Sequence, residues 1–189
     1  VLYVLANEHA YDTTRISVGG SSAGGNMALS LSARLGSERI KSCFALYPAA
    51  HLTHPERLDT VMGCVSDKFR SGVVIPHWCM KLFINAYTTP GTDMNDPRLS
   101  PMFYDASKFP KYVAVACGDA DTLYRMNFDL MKKISGSASG TNVDGSRKFI
   151  CVPNEAHEFN TFGRTRASQE ERDRVEGEAI NMIRASWRQ

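Results

Sequence analysis

The sequence predicts an α/β fold built on a predominantly parallel sheet, and three observations carry that expectation. Apolar strand-like runs alternate with segments of helical periodicity, first from Arg15 to Tyr47 and again from Tyr112 to Val152. The first of these stretches reads as strand, tight turn, helix, strand, a βαβ unit that requires a parallel pair with a right-handed crossover. The composition, 43% hydrophobic and 22% charged over 189 residues, suits one soluble domain with a sizeable core.

Taken in order, Val1 to Ala10 carries apolar residues at helical spacing and predicts a short helix. Asp12, Thr13 and Thr14 form a polar turn into the strand Arg15-Ile-Ser-Val-Gly19. A Gly/Ser-rich turn precedes a helix over Asn26 to Leu35, which Gly36 ends, and Lys41 to Tyr47 is a second strand closed by Pro48. The rhythm then breaks. From about 51 to 109 no strand is convincing; a helix over His77 to Tyr87 and the proline-rich Asp96-Pro-Arg-Leu-Ser-Pro101 read as a cap-like helical insertion within a single domain spanning 1–189. Alternation resumes with a strand over Tyr112 to Cys117, a helix over Thr122 to Ile134, a Gly/Ser/Asn-rich loop from Ser135 to Ser146 and a strand over Lys148 to Val152. Ala167 to Trp187 closes the chain as an amphipathic helix with a charged first half.

Charge and cysteine usage exclude several function classes. A formal net charge of +2 with scattered basic residues gives no nucleic-acid or acidic-membrane partner, and the mixed run Gln169 to Arg174 reads as a solvated helix face. No apolar stretch approaches a membrane span, and the N-terminus lacks a signal-peptide pattern. The five cysteines are odd in number and widely spaced, without the close Cys/His pairs of a zinc site. Cys43, Cys117 and Cys151 fall inside apolar strand-like runs and are expected to be buried free thiols, which fits a reducing cytoplasm.

Gly20-Ser21-Ser22-Ala23-Gly24 matches the G-x-S-x-G nucleophile elbow. A sharp strand-to-helix turn holds such a serine at strained dihedrals above the carboxyl edge of the sheet, and glycines two positions to either side let strand and helix backbones pass without Cβ collision. The next amide, that of Ala23, lies at a helix N-terminus where it can donate to a developing oxyanion. The bare pattern arises by chance roughly once in fifteen chains of this length, as a glycine-rich helix entry without chemistry. Its placement between a predicted strand and a predicted helix favours the chemical reading.

In this arrangement the serine is followed in sequence by an acid and then a histidine. Asp119 and Asp121 both leave the strand ending at Cys117, and His157 leaves the strand ending at Val152, so both loops open at carboxyl ends of strands, where parallel sheets bind ligands. An acid there accepts the imidazole Nδ1 proton and fixes the tautomer whose Nε2 takes the serine proton. Either aspartate could instead cap the helix that starts near Thr122. His51 and His54 lie on a turn and could supply only two metal ligands, while His9 and His77 lie in helical stretches without partners.

These residues resemble a known family. Ser22-Ala-Gly-Gly-Asn26 is similar to the S-A-G-G-N of the hormone-sensitive-lipase-like esterases, a branch of the α/β-hydrolases, and Arg15-Ile-Ser-Val, Asp96-Pro-Arg-Leu-Ser-Pro and Asp121-Thr-Leu resemble further blocks of that family in the same order. The family's acid opens its D-P-L block, which implies Asp121 rather than Asp119, and its H-G-F maps to His157-Glu-Phe159. The resemblance implies a serine hydrolase cleaving carboxylic esters of small or medium acyl groups, with Ser22, Asp121 and His157 as the triad, Ala23 in the oxyanion hole, a small-molecule ester as substrate, and neither metal nor organic cofactor. The insertion then corresponds to the family's cap, with Trp78 and Phe83 expected either to line an apolar acyl site or to serve as ordinary core.

The chain departs from the family pattern in three places. Ser21 stands where an acidic residue is common, Glu158 stands where the histidine is followed by glycine, and the H-G-G-G oxyanion loop that lies upstream of the elbow is not in the sequence. That absence and the non-Met start lead to the expectation of a piece of a longer polypeptide or a truncated gene product, in which the upstream half of the same fold completes the sheet and the oxyanion hole. Two other functions fit the residues. One is a related amidase such as an arylformamidase, with a peptidase disfavoured by Ala23 where such relatives carry an aromatic. The other is a non-catalytic binding module, as in the plant gibberellin receptors, which resemble the family but have lost the histidine that is present here.

Overall fold

The computed structural model describes residues 1–188. Four strands, β1 (Ser17–Ser21), β2 (Ser42–Leu46), β3 (Tyr112–Gly118) and β4 (Arg147–Val152), form one sheet in the order β1-β2-β3-β4 with every pair parallel. Side chains alternate between its faces, and each face has its own cover. Cys43, Ala45, Val113 and Val115 pack against Ala28, Leu29 and Ala33 of α2 (Ala23–Arg39) and Leu130 and Met131 of α4 (Tyr124–Ser135). Ala114, Ala116, Ile150 and Val152 pack on the opposite face against Val175 and Met182 of α6 (Arg166–Ser186). Two apolar layers over a sheet of small and β-branched residues supply the core, each fully buried Leu or Met contributing roughly 1.5–3 kcal/mol.

The register decides where the chemistry can sit. Ser21 pairs with Leu46, Leu46 with Ala116, and Gly118 with Val152, so the carboxyl ends of all four strands reach one rim. The elbow after β1, the acid-bearing loop after β3 and the histidine-bearing loop after β4 all open there.

Between β2 and β3 lie the helix α3 (His77–Tyr87) and three short 3-10 turns, and among the described residues no named strand interrupts this segment. Asn26, buried in α2, ties it down by donating through Nδ2 to Ala49 O at 2.7 Å and Leu99 O at 2.9 Å. Ser100 Oγ accepts from Leu52 N–H at 3.0 Å and donates to Leu52 O at 3.0 Å. Two isolated bridges, Ser71 to Glu155 and Val73 to His157, attach it to the loop after β4, which leads into the short helix α5 (Phe159–Phe162).

Three local expectations change. The first helix, α1, covers only Leu2–Leu5 and buries nothing; Asn7 Nδ2 donates to Tyr3 O at 2.7 Å and the chain leaves the helix there. A helix without a core face has little to stabilise it at this length. α2 begins earlier, at Ala23, directly after the elbow serine, and Gly36 (φ 73°, ψ 176°) breaks it before one further turn ending at Arg39. Cys43 and Cys117 are buried free thiols, but Cys151, near the end of the edge strand β4, is exposed. Cys64 and Cys79 are also free.

Candidate active site

Ser22 has φ 52° and ψ −120°, a conformation that non-glycine residues rarely adopt. The strain is held from both sides: Ser22 N–H donates to Leu46 O at 2.9 Å, and Ser22 O accepts from Asn26 N–H at 3.0 Å as the first bond of α2. A Cβ on Gly20 would lie 2.5 Å from the backbone C and O of Gly24, so strand and helix touch there and only glycine fits. The second tight position is not Gly24, whose Cβ would meet nothing within 4 Å among the described residues. It is Gly25, whose Cβ would come within 3.0 Å of Pro48 and 3.1 Å of Gly20 O.

The three residues from separate loops meet. Ser22 Oγ and His157 Nε2 are 3.0 Å apart, and His157 Nδ1 lies 2.8 Å from Asp121 Oδ2. An ionised carboxylate only accepts, so the imidazole proton is on Nδ1 and donates to Asp121; Nε2 is then the acceptor and Ser22 O–H donates to it. Asp121 is fully buried, His157 is 3% exposed and Ser22 is half-buried. The second Asp121 oxygen, Oδ1, accepts from Leu123 N–H at 2.8 Å, so the carboxylate is saturated on both sides and cannot rotate freely. Asp119 takes a different part: its Oδ1 accepts from Asn154 N–H at 2.8 Å and its carbonyl from Val65 and Ser66 N–H, tying loops together away from the imidazole. The Ala23 N–H occupies the first helical position, where no intrahelical acceptor exists.

The remaining histidines are dispersed. His51 packs edge-on against Phe103, His77 pairs with Asp59 at 3.3 Å, and His9 and His54 are exposed. Among the described residues no three His, Cys, Asp or Glu side chains are grouped to hold a metal.

Several contributors to this geometry were not foreseen. Tyr47, with φ 37° and almost no exposure, packs its ring 4.5 Å from the imidazole of His157 and 5.7 Å from Phe159, and its hydroxyl donates to Asn160 Oδ1. Burial pushes its phenol up to about 12, so it is a neutral floor for the imidazole at ordinary pH. Gly118 and Gly72 make room for the histidine loop: a Cβ on Gly118 would lie 2.0 Å from Glu155 O, and one on Gly72 (φ +93°) 2.4 Å from His157 O. Glu155, fully buried two residues before His157, is paired with Arg70. A lone acid in the loop between strand and histidine is the only trace of that pairing in the sequence, since Arg70 stands 85 residues away.

A cavity of about 500 Å³ opens beside Ser22, walled by Leu52, Ile75, Met80, Phe83, Ile84 and Tyr87, and among the described residues no charged side chain lines it. Phe83 therefore faces the cavity as one of the two expectations held. Trp78 does neither: it is 68% exposed and off the cavity wall.

The family model described as alpha/beta hydrolase fold matches residues 1–161. The chain belongs to the α/β-hydrolase fold family. No curated protein sequence matches it. Solved α/β-hydrolase structures resemble it closely in shape. The thermostable carboxylesterase EstE1, cloned from a metagenomic library, is 22% identical with a TM-score of 0.73, over 96% of this chain and 59% of that one. Brefeldin A esterase, described as a bacterial homologue of human hormone sensitive lipase, is 21% identical with a TM-score of 0.67, over 97% and 52%. A bacterial heroin esterase is 20% identical with a TM-score of 0.70, over 100% and 57%. The chain thus spans between half and three-fifths of the length of these structures. Among the described residues no helix is long and apolar enough to cross a membrane.

Proposed function

We propose that this α/β-hydrolase cleaves carboxylic esters of small or medium, uncharged acyl groups through an acyl-serine intermediate. One observation carries the reading: the unbroken hydrogen-bond chain from Ser22 Oγ through His157 to Asp121, at 3.0 and 2.8 Å, opens onto an apolar cavity. Ser22 attacks the ester carbonyl as its proton passes to His157 Nε2, and Asp121 stabilises the resulting imidazolium. The tetrahedral intermediate collapses when His157 returns the proton to the departing alcohol. Water, deprotonated by the same nitrogen, then attacks the acyl-serine; the bond from Ser22 Oγ to the acyl carbon breaks as His157 returns the proton to Oγ, and the acid is released.

The cavity supports an acyl group without charge, because a carboxylate or ammonium placed there would lose its hydration with no partner. The Ala23 N–H is one donor to the oxyanion. The proposal assigns the triad and the acyl cavity to this chain. The insertion between β2 and β3, which supplies most of the cavity wall, acts in this reading as the cap.

A fluorophosphonate probe tests the triad directly. Covalent labelling that disappears in Ser22→Ala is the expected result, together with turnover of p-nitrophenyl acyl esters in preference to N-formyl aryl amides. A protein that binds ligand but never labels would refute the enzyme reading, and preference for the amide would reassign it to an amidase.

A further inference from the structure

The chemistry proposed above leaves one buried charged cluster unused. Glu155 Oε1 accepts from Arg70 Nε at 3.1 Å and from Ser168 Oγ at 2.8 Å, with Arg70 Nη2 also 3.1 Å away, and Oε2 accepts a short bond from Ser71 Oγ. Withdrawing a carboxylate from water costs several kcal/mol, and a well-packed apolar side chain of the same volume is often no less stabilising than a buried ion pair. Stability alone therefore gives no reason for an ionised residue here.

Its position gives one. Residue 155 joins four parts of the site. Its carbonyl accepts from Ala120 N–H at 3.1 Å, one residue before Asp121. Its side chain holds Arg70 and Ser71 of the segment leading to α3, and Ser168 in the first turn of α6. The main chain beside it is laced to the same segment: Ala156 N–H donates to Ser71 O at 3.0 Å, His157 N–H to Val73 O at 3.1 Å, and Val73 N–H to His157 O at 2.7 Å. Two residues beyond Val73, Ile75 lines the cavity, and its carbonyl accepts from Thr122 Oγ1 at 2.9 Å, next to Asp121.

We propose that Glu155 is a positioning residue for the base. Its carboxylate, locked by Arg70, Ser71 and Ser168, fixes the main chain of His157, sets the 3.0 Å approach of Nε2 to Ser22 Oγ, and couples the base to the cavity wall at Ile75. This rests on the reading of His157 as general base. A loss of registration by a fraction of an ångström at the base lowers turnover without weakening ground-state binding, and a full 1 Å costs about 10²-fold.

Two variants of the full chain test it, each held well below its melting temperature. Glu155→Gln keeps the volume but removes the charge, and kcat is expected to fall about tenfold with KM within about twofold. Ser168→Ala removes the bond to Glu155 and the one that Ser168 Oγ accepts from Thr165 Oγ1 but leaves the ion pair, and a fall in kcat of about threefold at the same KM is expected. In parallel, the low-field proton resonance of His157 Nδ1–H should exchange with solvent several times faster in both variants relative to the most protected amides of β3, whose exchange reports general destabilisation. Unchanged kcat and unchanged proton exchange in Glu155→Gln would overturn the proposal; if that variant does not fold, the same result in Ser168→Ala overturns it. Should the parent protein neither turn over esters nor label at Ser22, the enzyme reading fails by itself, while the imidazole exchange rates still decide whether Glu155 positions the ring.

Discussion

Replacing Gly118 by alanine tests the packing that brings the histidine loop to the serine. The added Cβ would lie 2.0 Å from the carbonyl oxygen of Glu155 and 2.5 Å from its carbon, where a real contact needs at least 3.0 Å. Both atoms are backbone, so no side chain can swing aside, and the loop after β4 must retreat by about 1 Å. The retreat stretches the Ala120 N–H to Glu155 O bond from 3.1 Å to about 4 Å, beyond hydrogen-bonding range. Losing that bond costs about 1 kcal/mol, and overpacking costs about 1–3 kcal/mol more. A destabilisation of about 2–4 kcal/mol lowers the melting temperature of a domain this size by roughly 5–15 °C. His157 is two residues along the same loop, so a shift of this size should reduce turnover by about 10²-fold. The assay is a thermal melt paired with p-nitrophenyl ester turnover measured well below the melting point of the variant. Gly177→Ala in α6, where a Cβ meets nothing within 4 Å, is the control of opposite sign, expected to stabilise by about 0.5–1 kcal/mol. A Gly118→Ala protein that melts and turns over like its parent would refute the reasoning.

Three further outcomes are expected. Asp121→Asn keeps the acceptor for Leu123 N–H but turns an amide NH₂ toward His157 Nδ1, which forces the proton onto Nε2; kcat should fall by about 10³–10⁴-fold with the fold intact by circular dichroism, and a loss under tenfold would count against Asp121 as the acid. Glu158 holds φ 59° and ψ 29°, a left-handed conformation that costs a side chain about 1–2 kcal/mol; Glu158→Gly gives back about 0.4–1 kcal/mol to the unfolded chain and should still raise the melting temperature by a few degrees, so a lower one contradicts the strain. Burial pushes the Cys43 thiol from 9.0 up to about 12; the unfolded thiol loses its proton first as pH rises through that window, so the folded state binds more protons and stability falls with increasing pH by up to about 1.4 kcal/mol per unit. Urea melts between pH 9 and 11 should show a shallower decline in Cys43→Ala, and an identical slope would exclude the thiol as the cause.

The local signals in the sequence were strong where physics is local. Hydrophobic alternation and helical periodicity depend on neighbours a few residues apart, so all four strands, the parallel pairing and the helices α3, α4 and α6 were legible. Ser22, Asp121 and His157 were legible too, because each leaves the carboxyl end of a predicted strand, and the choice of Asp121 over Asp119 came from family resemblance. Local reasoning failed where a neighbour from elsewhere decides the outcome. Cys151 is exposed near the end of the edge strand β4, and α1 is short because it has nothing to pack on. The tight glycine is Gly25 rather than Gly24 because Pro48, at the end of β2, lies against it.

What the sequence determined by itself is a set of elements with their polarity and the residue types at their ends: a strained serine between strand and helix, an acid and an imidazole on two later loops. What only the tertiary structure decided is distance. The registers Ser21 with Leu46, Leu46 with Ala116 and Gly118 with Val152 align three loop mouths, and the backbone contacts at Gly20, Gly72 and Gly118 set how closely the loops approach. The Tyr47 floor and the Arg70–Glu155 lock belong to the same class, because contacts between residues 85 or more positions apart exist only once the chain has closed around them, and no short-range pattern encodes them.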